Sequence, residues 1–178
     1  MNRSRKVVVL CHCLLNANVK VLPLATHAGA LDLIVGEYLA RGVGVVQLPC
    51  PETSFLGLSR WGMTREQYDH PAYRRHCRDI LGPCVDQLQA MERDGCELVG
   101  LVGVDGSPSC GMFLTCEGYR GGEVGAPETD VAGQVAGLRA VPGRGVFMEE
   151  LLALLERLGL PIPLLAVDEE SPSTLKTS

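Results

Sequence analysis

Val7-Val8-Val9-Leu10-Cys11-His12-Cys13 is the stretch that decides how the rest of the chain reads. A short aliphatic run with no polar alternation is what a strand buried on both faces requires, and such strands belong to parallel sheets covered by helices. Val45-Val46-Gln47-Leu48, Leu98-Val99-Gly100-Leu101-Val102 and Pro163-Leu164-Leu165-Ala166-Val167 repeat the pattern. Helical segments lie between them. Thr26 can cap a helix running to about Leu39, with Arg41 and Gly42 as its basic last turn and stop. From about Pro71 to Asp94, Tyr73, Cys77, Ile80, Leu81, Cys84, Val85, Leu88 and Met91 recur at helical spacing as one apolar stripe, which Gly95 ends. A further helix follows Gly145, with Phe147, Leu151, Leu154, Leu155 and Leu158 on one face and Glu149 and Glu150 near the positive end of its dipole.

Strands alternating with helices predict an α/β fold, a Rossmann-like three-layer domain with a mainly parallel sheet of about four to five strands joined by right-handed crossovers. At 178 residues and 46% hydrophobic, the chain is sized for one domain spanning 1–178. The interval 115–143 is rich in glycine and poor in apolar periodicity. It is expected to be a lid, or a hairpin about Gly121-Gly122, and the chain from about Ser171 a flexible tail.

The formal charge of −5 repels phosphate backbones and anionic membranes, so neither nucleic acid nor membrane is an expected partner. Arg3, Arg5 and Lys6 before the first apolar run imitate an export signal, but the run is too short and no cleavage site follows. No apolar run approaches the roughly 20 residues of a membrane span. A cytoplasmic protein, monomer or homodimer, is expected, with its eight cysteines reduced.

Three of the strands run directly into cysteine-bearing turns: Cys11-His12-Cys13, Cys50-Pro51-Glu52 and Ser107-Pro108-Ser109-Cys110-Gly111. Loops beyond the carboxyl ends of parallel strands form the ligand crevice, so Cys13, Cys50 and Cys110 should converge there for sulfur or metal–sulfur chemistry. Pro51 and Pro108 stiffen the turns, and Gly111 permits a positive φ or the close approach of a ligand. Glu52, two residues from a candidate ligand, suits a general acid or base, against the ordinary alternative of a solvated carboxylate. Ser107 and Ser109 can orient a ligand or merely close their turn. Cys77, Cys84 and Cys96 read as small buried hydrophobes and Cys11 as core, facing away from Cys13. Cys116 falls in the glycine-rich interval, His12 is expected to alternate away from the site, and His27, His70 and His76 show no ligand spacing. There is no nucleophile elbow, dinucleotide turn, phosphate loop or Cys-x-x-Cys pair.

These motifs resemble, in order and interval, those of a family of bacterial proteins that includes the thiouracil desulfurases. The resemblance rests on Cys13-Leu14-Leu15, Cys50-Pro51-Glu52 and Ser107-Pro108-Ser109-Cys110-Gly111, and extends to Gly145-Val146 and Val167-Asp168-Glu169-Glu170. It implies a [4Fe-4S] cluster held by Cys13, Cys50 and Cys110, with Glu52 and Ser107 as catalytic residues that handle protons and orient water or a small thiolated substrate. Arg60 falls near a family arginine. Asn16 stands where the family has Gly, and Lys20-Val21-Leu22-Pro23 where it has Arg-Tyr-Asp-Gly, so a divergent branch with an altered pocket is expected.

A hydrolytic desulfidase acting on a thiocarbonyl compound such as a thiopyrimidine is therefore the leading expectation. Two others stand beside it: a persulfide sulfurtransferase with Cys110 as a low-pKa nucleophile, and a non-catalytic metal- or sulfur-binding module.

Overall fold

The computed structural model describes residues 3–172 and 174–177. In chain order the elements are β1 (Lys6–Leu10), α1 (His12–Leu15), a 3-10 turn (Ala17–Val19), α2 (Asp32–Ala40), β2 (Gly44–Gln47), α3 (Pro51–Leu56), α4 (Arg65–Tyr68) and α5 (Pro71–Arg93). They continue with β3 (Glu97–Val104), β4 (Leu114–Glu117), α6 (Val131–Ala136), β5 (Arg139–Pro142), α7 (Val146–Arg157), β6 (Leu164–Val167) and β7 (Lys176–Thr177).

The aliphatic runs form the expected sheet, ordered β2-β1-β3-β6-β7. The first four strands are parallel, and β7 adds an antiparallel edge through Leu165–Thr177 and Ala166–Lys176. Helices flank the sheet in a three-layer α/β arrangement. Strand order reverses at β1, which lies between β2 and β3, so a crevice opens where the chain leaves β1 in one direction and returns in the other. No described helix is long and apolar enough to cross a membrane.

Helices α5 and α7 pack against each other, burying Tyr73, Cys77, Leu81, Val85 and Leu88 from one and Phe147, Met148, Leu151 and Leu155 from the other. Burying a large apolar side chain contributes about 1.5–3 kcal/mol. An ion-pair cluster fixes their relative register: Arg74 bridges Asp69, Glu149 and Glu150, Arg65 bridges Asp69 and Glu149, and Arg78 meets Glu150. Burial alone would raise the Glu150 carboxyl, but its hydrogen bonds from Arg74 and Arg78 outweigh that and hold it below the usual range.

Three expectations change. The helix read from Thr26 begins only at Asp32, because the chain before it is tied to α1 and the 3-10 turn, with Ala17 N–H donating to the Gly29 carbonyl and Leu31 N–H to that of Leu14. The glycine-rich interval is not a hairpin about Gly121-Gly122. β4 and β5 pair antiparallel with Leu114 opposite Pro142, and the connection between them contains α6, capped by Asp130. The stretch from Ser171, read as a flexible tail, includes β7 on the sheet edge, while residues 173 and 178 lie outside the described set.

Candidate active site

The turns after β1, β2 and β3 meet at the carboxyl edge of the sheet, and Cys13, Cys50, Glu52, Ser107 and Cys110 all line one cavity of about 490 Å³. That volume falls in the range of roughly 300–1,000 Å³ usual for small-molecule sites. No histidine is among its lining residues.

Each cysteine is set by a different local device. Cys13 lies in α1, which begins as soon as β1 ends. Cys50 is the N-cap of α3: Pro51 occupies the first helical position, and the Cys50 sulfur accepts the Thr53 N–H at 3.4 Å. Cys110 is held by a wound loop. The Ser107 hydroxyl oxygen accepts the N–H groups of Ser109 at 3.3 Å and Cys110 at 3.0 Å, and the Ser107 carbonyl accepts from Gly111 and Thr115. Ser109 is buried and exchanges a hydrogen bond with the Tyr73 hydroxyl at 2.8 Å.

Glycines let this loop sit where it does. A β-carbon on Gly103 of β3 would lie 2.8 Å from the Cys110 carbonyl, and one on Gly145 would lie 2.7 Å from the Cys110 nitrogen and overlap the Ser109 carbonyl. Gly111 makes room for backbone, the carbonyls of Leu114 and Ser107, and not for a ligand or a positive φ as its motif suggested. Gly145→Ala should therefore push the Cys110 loop off its seat, costing about 1–3 kcal/mol of stability. Denaturant unfolding tests this, and an unchanged midpoint would show that the contact is slack.

Electrostatically the thiols oppose one another. Desolvation pushes the Cys13 pKa well up, and neighbouring Cys110, Glu169 and Cys50 add to it while Lys20 opposes. At Cys110 neighbouring Cys11 raises the pKa most, followed by burial and the charge of Cys50. Cys11 is fully buried, as expected of core, and is not among the residues lining the cavity, though it is near enough to act on Cys110. The strand does not persist through it: Cys11 caps α1, so strand alternation no longer sets its direction.

Of the other thiols, Cys77 is buried on the α5 stripe and pushed up to about 12 by desolvation. Cys84 is only half-buried and reaches toward the Gln47 carbonyl. Cys116, in β4, lines the cavity and is pushed up to about 11 by burial, with Glu52 adding to it.

Glu52 is 15% exposed and paired with Arg60, which is 5% exposed. Arg60 Nε and Nη2 donate to Glu52 Oε2 at 3.3 and 3.2 Å, while Nη2 also donates to the Val19 carbonyl at 2.8 Å. One carboxylate oxygen is thus held, and Oε1 has no hydrogen bond among the described residues. The Tyr68 hydroxyl is buried beside this pair without a well-formed hydrogen bond to either partner. Lys20 and Glu169 form a second ion pair on the cavity wall.

Among the described residues, no three His, Cys, Asp or Glu side chains are placed to hold a single metal ion. The donor set nonetheless suits a larger iron–sulfur group. Desolvated thiols that raise one another's pKa are poor as bare thiolates and good as ligands to a cationic group that replaces their protons.

Residues 6–121 match the family described as "Putative 2-thiouracil desulfurase". The chain belongs to this family. An uncharacterized protein of Methanocaldococcus jannaschii is 34% identical over 111 residues, which make up 62% of this chain and 70% of that protein. That organism is an archaeon, so the likeness first seen to bacterial proteins reaches beyond them. No solved structure matches the chain. In this member of the 2-thiouracil desulfurase family, the matched segment carries all three cysteine turns, Glu52 and Ser107, whereas Gly145 and Glu169 lie beyond it.

Sequence reasoning gave Arg60, Lys20 and Glu169 no role. Glu169 follows β6 at the same sheet edge as the cysteine turns, and that position was the available signal. Lys20 lies in a loop whose path no local pattern fixes.

Proposed function

We propose that this protein is an iron–sulfur-dependent desulfidase that hydrolyses the carbon–sulfur bond of a small thiocarbonyl compound, such as a thiopyrimidine, and releases sulfide. The observation that carries the reading is the convergence of Cys13, Cys50 and Cys110, from three separate strand ends, on one cavity that also contains an Arg60-anchored Glu52. Membership of the desulfurase family supports it.

Cys13, Cys50 and Cys110 would hold a [4Fe-4S] cluster. Three protein ligands leave one iron open, which would supply a thiophilic Lewis acid for the departing sulfur. The chain's own part is proton and water handling. The ion pair holds one Glu52 oxygen and leaves the other free, placed to take a proton from an attacking water. Arg60 keeps the carboxylate oriented through both its guanidinium and the Val19 carbonyl. Water contributes the oxygen of the new carbonyl and both protons of the hydrogen sulfide, so no oxidant or reductant is required.

Ser107 closes the Cys110 loop with its oxygen lone pairs and retains its O–H to donate toward water or substrate. Its first duty is then to position Cys110. The raised pKa of Cys110 counts against the sulfurtransferase alternative, which needs a thiolate at neutral pH.

The test is anaerobic purification followed by iron and acid-labile sulfide analysis, with sulfide release assayed on thiouracils and related thiocarbonyls. Bound iron with sulfide release is the expected result. An iron-free protein that cannot be reconstituted, or an iron-loaded one that releases no sulfide, overturns the proposal.

A further inference from the structure

One wall of the cavity has no task in hydrolysis. Lys20 follows the 3-10 turn and Glu169 follows β6, 149 residues later, yet Lys20 Nζ donates to Glu169 Oε2 and both side chains line the cavity beside Cys13. They are 13% and 10% exposed. Glu169 Oε1 is buried with no hydrogen-bond partner among the described residues.

A pair serving only to stabilise the fold would place its second carboxylate oxygen in water or on a donor, because an unmatched buried acceptor is destabilising. Asp105, also on this wall, shows the contrast. Its Oδ2 is likewise buried without a hydrogen bond, but Lys176 Nζ lies 3.8 Å from it and Oδ1 accepts the N–H groups of Phe113 and Leu114, so its carboxylate organises the loop. Glu169 organises no backbone, and its oxygen calls for a donor brought by a ligand.

We propose that Glu169 reads the substrate by accepting, at Oε1, an N–H adjacent to the thiocarbonyl carbon, and that Lys20 is the positioning residue that holds the carboxylate for it. This rests on the desulfidase reading and narrows it to thioamide- or thiourea-type compounds that keep an N–H beside the carbon–sulfur bond. Compounds alkylated at those nitrogens carry no donor and leave Glu169 unmatched.

Binding of 2-thiouracil and its 1-methyl, 3-methyl and 1,3-dimethyl derivatives, measured by calorimetry, tests the idea without turnover. Protein with and without iron is used, and iron content and sulfide release are recorded on the same samples. Wild type should bind the dimethyl compound about tenfold or more weakly than 2-thiouracil, and the two monomethyl compounds identify which N–H is read. In Glu169→Gln, Lys20 claims the amide oxygen, so the NH₂ group faces the ligand. Affinity for 2-thiouracil should fall about tenfold, and the preference over the dimethyl compound should shrink to about twofold or less. Lys20→Met should weaken binding and Lys20→Arg restore most of it.

Equal binding of all four compounds by wild type, or binding of none, overturns the inference even if sulfide is released. Discrimination that survives intact in Glu169→Gln does the same. Should either variant fold poorly, the wild-type comparison of the four compounds decides alone. Absence of iron and of sulfide release, with N–H discrimination present, would instead remove the proposed reaction and leave the recognition wall standing.

Discussion

Cys13→Ser, Cys50→Ser and Cys110→Ser should each yield protein without bound iron after anaerobic purification and reconstitution. A hydroxyl is a far poorer iron ligand than a thiolate, and the other two thiols do not make up a complete set. Cys77→Ser provides the contrast. Its thiol is buried on the α5 stripe, so a hydroxyl there should lower stability by about 1–3 kcal/mol while leaving iron content unchanged. Cys84→Ser should do less because Cys84 is only half-buried. Cys11→Ser belongs in the series because Cys11 is buried just before Cys13 yet does not line the cavity, and retention of iron is expected there. Full iron occupancy in Cys50→Ser would strike that residue from the ligand set.

Glu52→Gln should preserve iron content and absorption yet lower turnover by roughly two to four orders of magnitude, the usual contribution of a positioned proton-transfer group. The amide oxygen can still accept from Arg60, so the buried guanidinium keeps a partner and the fold should hold. Sulfide release per iron-loaded protein is the quantity to compare. A binding module has no use for this carboxylate, so equal thiocarbonyl binding with no sulfide from wild type would favour that alternative. Ser107→Ala makes the informative companion. Because its hydroxyl caps the Cys110 turn, it should lose iron as well as rate, whereas a residue that only orients water would lose rate alone.

The sheet and the cysteine edge were legible because both follow from general rules. Continuous aliphatic runs become buried parallel strands, and the residues after them meet at one edge. The stripe from Tyr73 to Met91 and the Gly145 boundary placed α5 and α7 almost to the residue. What could not be read depended on contacts between distant segments. The start of α2 at Asp32 is set by the hydrogen bonds that tie the preceding loop to α1 and the 3-10 turn, which override the capping preference of Thr26. Gly111 looked like a ligand-facing glycine, but its neighbours are two carbonyls of its own loop. Lys20 and Glu169 meet only because the turn after β6 faces the loop that follows α1.

Gly145 carries a consequence for how much of the chain counts as one unit. It lies well past residue 121, where the family match stops, yet it is the wedge under Ser109 and Cys110. The strand β6 that follows it also covers one flank of β3 through Leu101, Val102, Gly103 and Val104. A fragment cut at the end of the matched segment would keep all three cysteine turns in its sequence, while stripping β3 to a bare, apolar edge primed to pair with other chains. The boundary of similarity is thus not a boundary of foldability.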